Sequence, residues 1–342
     1  MKFSKRTLIK GIGLTLAMTS AASLGLSAQA EEKRSYILAT ASTGGTYYPV
    51  GVAIATLTKV KLEPTQKISM SAINSAGSGE NIKLLRENEA QFAILQGLYG
   101  AWAWAGEGKL QADGPQKNLR SVSMLWQNVE QFVVDKSLAK SGTIEDLKDF
   151  AGKKFSIGKK NSGTEGSGRQ ILAGVGVDTD AMDLAYMGYG PSADAMQNGT
   201  VVGMNTPSGV PTSAVTRAFA SLGDKITVLD FTDEQVKKAN GNYQLWTRYV
   251  IPANTYPGQT KAVNTVAQPN FLAVRDDIAE EDVYLITKTI YENLPFLNGI
   301  HKATKAMAIE KAIAGLPFPL HPGAARYYKE VGIQVPAHLM AN

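Results

Sequence analysis

The sequence predicts an α/β protein of two lobes, and three observations carry that prediction. Short apolar runs alternate with stretches of helical spacing from residue 35 to residue 231, glycine- and hydroxyl-rich loops separate them, and 342 residues is about two domains' worth of chain. A composition 44% hydrophobic and 19% charged lets each lobe bury a core and excludes a disordered or fibrous chain.

The apolar run at 35–39 breaks into a polar loop at 40–46, and helical spacing resumes over 47–60. The unit recurs as a strand at 68–73, a loop at 74–79 and a helix at 80–88, where Ile82 and Leu85 share one face. Residues 90–96 form a third strand, which ends at Gly97 near an aromatic patch of Tyr99, Trp102 and Trp104. A second series opens at 131–134, followed by a short capped helix from Thr143 and a strand at 154–158. A polar glycine loop at 159–168 then leads into a helix at 169–174. Strands at 185–187, 201–204 and 226–231 continue the alternation, with helices after Ser192 and over 213–222. Thr232 and Gln235 make a capping box that starts a further helix. Such spacing predicts parallel sheets with helices on both faces. Residues 265–274 read as a strand crossing between lobes, after which helices are expected at 281–293, 303–313 and 324–331.

Charge and leader belong together. The chain carries 35 Lys+Arg against 30 Asp+Glu, a formal +5. Residues 1–30 combine a basic start, an apolar middle too short for a span, and Ala28-Gln29-Ala30, the pattern of a cleaved secretory signal. Ser4-Lys5-Arg6 leans toward the twin-arginine pattern, but Lys5 stands where the first arginine belongs, so the general secretory route is expected. Cleavage leaves 312 residues with 31 Lys+Arg against 30 Asp+Glu, which removes the charge argument for a nucleic-acid partner. With no cysteine, the chain has no disulfide, no thiolate metal site and no lipid-bearing thiol.

The motifs of common enzymes are missing: no G-x-S-x-G, no H-E-x-x-H, no P-loop and no strand-following G-x-G-x-x-G. The three histidines, His301, His321 and His338, have no metal-binding spacing, and His321 reads as a turn residue. No metal and no cofactor is expected. What stands out is three Gly/Ser/Thr loops between strand end and helix start, at 42–46, 74–79 and 161–168. Such loops point backbone N–H groups and hydroxyls at one spot, at the positive ends of helix dipoles, and hold a carboxylate or phosphate without arginine. Each is also explained by capping alone, as Ser162 with Glu165 illustrates. Three together, at the strand ends where open α/β sheets bind ligands, favour a shared site.

At the level of segments, the chain resembles the TAXI solute-binding proteins, receptors of one class of tripartite ATP-independent periplasmic (TRAP) transporters. Residues 41–51 (ASTGGTYYPVG), 75–81 (SAGSGEN), 163–165 (GTE) and 321–328 (HPGAARYY) carry the likeness, which covers essentially the whole mature chain in order. The second segment departs from the family pattern Ser-Thr-Gly-Gly-Ser-Val-Glu-Asn, with Ala76 for threonine and Gly79 for valine, and residues 203–209 are unusually polar. The resemblance implies a periplasmic binding protein fold with a hinged cleft, no enzymatic activity, and delivery of a glutamate-, glutamine- or 2-oxoglutarate-like solute to membrane permease subunits. Lobe one is expected from 31–128 plus 268–342 and lobe two from 129–267. The expected ligand-binding residues are Gly45, Thr46, Tyr47, Ser75 and Ser78 from lobe one, and Ser162, Gly163, Thr164, Glu165, Asn205 and Ser208 from lobe two. Glu165 has two readings, recognition of a ligand amine or capping. The competing functions are a receptor feeding a signalling protein and a secreted enzyme using the same cleft.

Overall fold

The structure, a computed structural model, describes residues 32–341. The signal peptide expected at 1–30 lies outside the described residues. Residues Lys33–Asn342 form one compact unit, built on two sheets.

The first half runs β1 (Arg34–Ala39), α1 (Tyr47–Gln66), β2 (Ile68–Ile73), α2 (Ser78–Arg86), β3 (Phe92–Gln96), α3 (Gly97–Ala105) and β4 (Leu119–Val129). Then come β5 (Phe132–Asp135), β6 (Lys154–Ser156), α4 (Gly163–Gly174), β7 (Asp183–Ala185), α5 (Tyr189–Gln197), β8 (Gly203–Asn205), α6 (Ser213–Leu222), β9 (Ile226–Val228) and α7 (Asp233–Asn240). The chain ends with β10 (Thr247–Ile251), β11 (Val263–Arg275), α8 (Glu280–Glu292), α9 (Leu294–Ile300) and α10 (Pro322–Glu330).

The first sheet has the order β10-β11-β3-β1-β2, with β4 on the other edge of β11. The second has the order β7-β6-β8-β5-β9. Both sheets are mixed, contrary to the parallel expectation. β1 runs parallel to β2 and β3, but β11 is antiparallel to β3, β4 and β10, and β5 is antiparallel to β8 and β9. β10 and β11 follow one another with no helix between them, the connection that an antiparallel pair allows and a parallel pair does not. β3 is buried on both faces, all five residues inside, as a central strand requires. Pro269, lacking a donor, sits where β11 shifts register against β4. A second core gathers Val133, Met204, Val215 and Val228, with Phe219 stacked on Tyr256 at 5.6 Å.

Several local expectations change. The loop expected at 159–168 becomes helical at Gly163, because Ser162 caps α4 by accepting from Glu165 N at 3.0 Å. The aromatic patch is itself a helix, α3. The helix expected at 303–313 breaks into 3₁₀ turns at Lys302–Ala306 and Ile309–Lys311. β4 and β10 were not anticipated, and β10 joins the first sheet although its residues fall within the segment assigned to lobe two. His321 is the N-cap of α10, with Nδ1 accepting from Gly323 N at 3.2 Å and Nε2 3.0 Å from Ile278 O.

Candidate functional site

Five helices begin around one cavity. The strands deliver their chains to it at their C-terminal ends, so the first turns of α1, α2 and α4, the N-cap of α3 (Gln96) and the first residue of α5 (Tyr189) all meet there. Each first turn brings N–H groups without intrahelical acceptors and a positive dipole end. The first loop lines the cavity with Ser42, Gly45, Thr46 and Tyr47, and the second with Gly77 and Ser78. Across from them stand Gly163 and Thr164 of α4, Tyr189, and Pro207 and Ser208. Asn128 of β4 closes the set. No lining side chain is charged, so any anion held here is held by neutral donors.

Of the residues expected to bind ligand, the structure brings Gly45, Thr46, Tyr47, Ser78, Gly163, Thr164 and Ser208 together on this cavity. The other four are engaged elsewhere. Ser75 donates to Asn81 Oδ1 at 2.6 Å and accepts from Gly77 N at 3.0 Å, shaping the second loop. Ser162 serves as the cap described above. Glu165 pairs with Lys109 at 2.7 Å and Arg169 at 3.5 Å and accepts from Asn161 N at 3.1 Å, so its carboxylate is engaged outside the cavity lining and does not complete a capping box with the N-cap Ser162. Asn205 faces Glu130, with Nδ2 3.4 Å from its carboxylate.

Three lining residues escaped sequence reasoning. Gln96 and Tyr189 carried a usable signal, since each closes or opens an element at a glycine, Gly97 and Gly188. Asn128 carried none, because β4 was not recognised as a strand. Asn128 is 3% exposed, and its Oδ1 has no hydrogen-bond partner among the described residues. Tyr189 OH donates to Pro207 O at 2.6 Å and lies 2.7 Å from Thr164 Oγ1. Burial raises the Tyr47 and Tyr189 phenols well above their ordinary range, so both act as neutral donors.

The two rims touch. Glu80 N donates to Asn161 O at 3.0 Å, Tyr99 OH to Ser162 O at 3.1 Å, Thr46 Oγ1 to Gly209 O at 3.0 Å and Ser213 Oγ to Gly44 O at 2.9 Å. Gly79 permits the first of these, for a Cβ there would stand 2.4 Å from Asn161 O. The cavity, partly open to solvent, has a volume of about 30 Å³. That volume takes a compact head such as a carboxylate; a five-carbon diacid requires the rims to stand further apart.

A model of the NMT1-like family matches residues 38–332. Among solved structures, the chain is similar to a protein of Bordetella bronchiseptica RB50, at 13% identity over 89% of this chain and 86% of that one, with a TM-score of 0.51. It is similar to PhnD1 from Prochlorococcus marinus (MIT 9301), solved in complex with methylphosphonate, at 12% identity over 87% of this chain and 98% of that one, also with a TM-score of 0.51. These likenesses speak to the fold, and the two-lobed α/β architecture of periplasmic binding proteins is the fold observed.

Proposed function

The chain belongs to the NMT1-like family, and from that premise we infer that it is an exported solute receptor, without enzymatic activity, that closes on a small carboxylate and delivers it to a TRAP-type permease. The observation that carries the reading is the convergence of helix N-termini and neutral donors on one uncharged, nearly closed cavity. Such a site holds an oxyanion by oriented N–H and O–H groups. The unpartnered Asn128 Oδ1 in its wall is an acceptor, available to an N–H or O–H group of a ligand and not to its carboxylate. Among the described residues no helix is long and apolar enough to cross a membrane, and no group of three His, Asp or Glu side chains is placed to hold a metal ion. Delivery to a TRAP permease rests on the resemblance of residues 41–51 and 321–328 to the TAXI receptors.

Calorimetric titration of residues 31–342 with L-glutamate, L-glutamine, 2-oxoglutarate and methylphosphonate tests the ligand class. At least one carboxylate is expected to bind, and Asn128→Ala is expected to weaken an amino-acid ligand, whose ammonium can donate to Asn128 Oδ1, about tenfold, the value of one buried hydrogen bond to a charged group. Binding of the phosphonate alone would sink the carboxylate reading and keep the receptor. Steady turnover of a bound compound would overturn the receptor itself.

A further inference from the structure

We propose that Glu130 is a proton-binding site beside the solute cavity, filled when an anion enters, so that the receptor takes up anion and proton together. The inference rests on the reading of the cavity as an anion site.

Glu130 joins β4 to β5, and its backbone is fixed by Glu130 N donating to Val266 O at 2.9 Å and Thr265 Oγ1 donating to Glu130 O at 2.7 Å. Its side chain is fully buried. The side chains that face it are all neutral: Ser167 from α4, Asn205 from β8, Trp246 ahead of β10 and Gln268 from β11. The phenols of Tyr47 on α1 and Tyr189 on α5, both in the cavity wall, feel the Glu130 charge. The charged side chains on α4, Glu165 and Arg169, are paired with each other, and Lys109 joins them. Arg248 on β10 is engaged by Asp233 and by Phe231 O.

Four buried polar atoms here lack a close partner: the acceptors Glu130 Oε1 and Asn205 Oδ1, and Ser167 Oγ and Trp246 Nε1, which can donate. Asn205 already turns its Nδ2 toward Glu130 Oε2. An ionised carboxylate here is met by donors from Ser167, Asn205, Trp246 and Gln268 but by no cation, and the cost of burying its charge outweighs them. Desolvation accordingly raises the Glu130 carboxyl to about 7, within reach of ordinary pH.

The link to the cavity is direct. Gln268 faces Glu130 and donates to Gln96 Oε1 at 3.0 Å, and Gln96 lines the cavity. An anion entering an uncharged, poorly solvated cavity next to an ionised Glu130 would place two like charges in a medium of low dielectric. Protonation of Glu130 removes one of them, so anion and proton favour each other reciprocally.

The test is calorimetry with L-glutamate and 2-oxoglutarate in two cationic buffers of different ionisation enthalpy, from pH 6 to 8.5. The wild type is expected to take up close to one proton per bound anion above pH 7.5, and its affinity is expected to fall up to tenfold per pH unit there. Glu130→Gln should abolish the uptake and flatten the affinity profile. Equal uptake in the variant, or none in the wild type, overturns the proposal. An infrared pH titration of the unliganded protein separates the two failures. If neither probe binds, the carboxylate reading falls. A buried carboxylic-acid band that titrates near pH 7 and is missing in Glu130→Gln still upholds the proton site, and the absence of that band overturns it.

Discussion

Gly79→Val is expected to hold the rims of the cleft apart and to weaken solute binding by about two orders of magnitude. A Cβ at this position would lie 2.4 Å from Asn161 O, 3.1 Å from the Asn161 carbonyl carbon and 3.1 Å from the Tyr99 ring. The closest neighbour is backbone, which cannot swing aside as a side-chain tip does. Closure would lose the Glu80 N to Asn161 O bond and the contact of Tyr99 OH with Ser162 O. A receptor whose binding-competent state is populated only one part in a hundred loses affinity by that same factor. Because Gly79 sits in the first turn of α2, valine costs the helix little and the melting temperature of the unliganded protein should stay nearly unchanged. Small-angle scattering with and without solute is the measurement: the wild type compacts on binding and the variant does not. A variant that compacts and binds like the wild type would remove Gly79 from the closure mechanism.

The second large effect is on stability. The Glu130 carboxyl is raised from an ordinary 4.5 to about 7 in the folded protein. Folding therefore favours the acid form. The corresponding stability is fully present below about pH 4.5, where both states are protonated, and is lost as pH rises to about 7 and the folded group must ionise in its buried setting. A rise of 2.5 units at 1.36 kcal/mol per unit comes to about 3 kcal/mol. Glu130→Gln carries no such group. The difference in unfolding free energy between wild type and variant, followed by urea titration from pH 4.5 to 8.5, should move by about that amount in the variant's favour. A difference independent of pH would mean that Glu130 is hydrated or ion-paired in the folded protein.

Much of the cleft was legible in the sequence because its determinants are local. A loop of Gly, Ser and Thr between an apolar run and a helical stretch is a helix N-terminus whatever surrounds it, and Thr46, Ser78 and Thr164 were placed on that basis. The reading failed where a residue's role depends on what lies across the fold. Ser75 and Glu165 have the composition of binding residues, yet Asn81 and Lys109 claim them. Asn128 sits in a long strand between Gln127 and Val129 with nothing local to single it out; only the register that sets it opposite Gln268 brings it to the cavity.

By itself the sequence determined the α/β class, a chain without cysteine, and loops fit to hold an anion without arginine, because propensity, hydrophobic period and capping act over a few residues. Tertiary structure alone decided that the sheets are mixed, that five helix starts share one cavity, and that Glu130 is buried without a cation beside it. Each of these arises from strands pairing across many tens of residues, and for β11 across more than a hundred, and burial and electrostatic environment are properties of that packing.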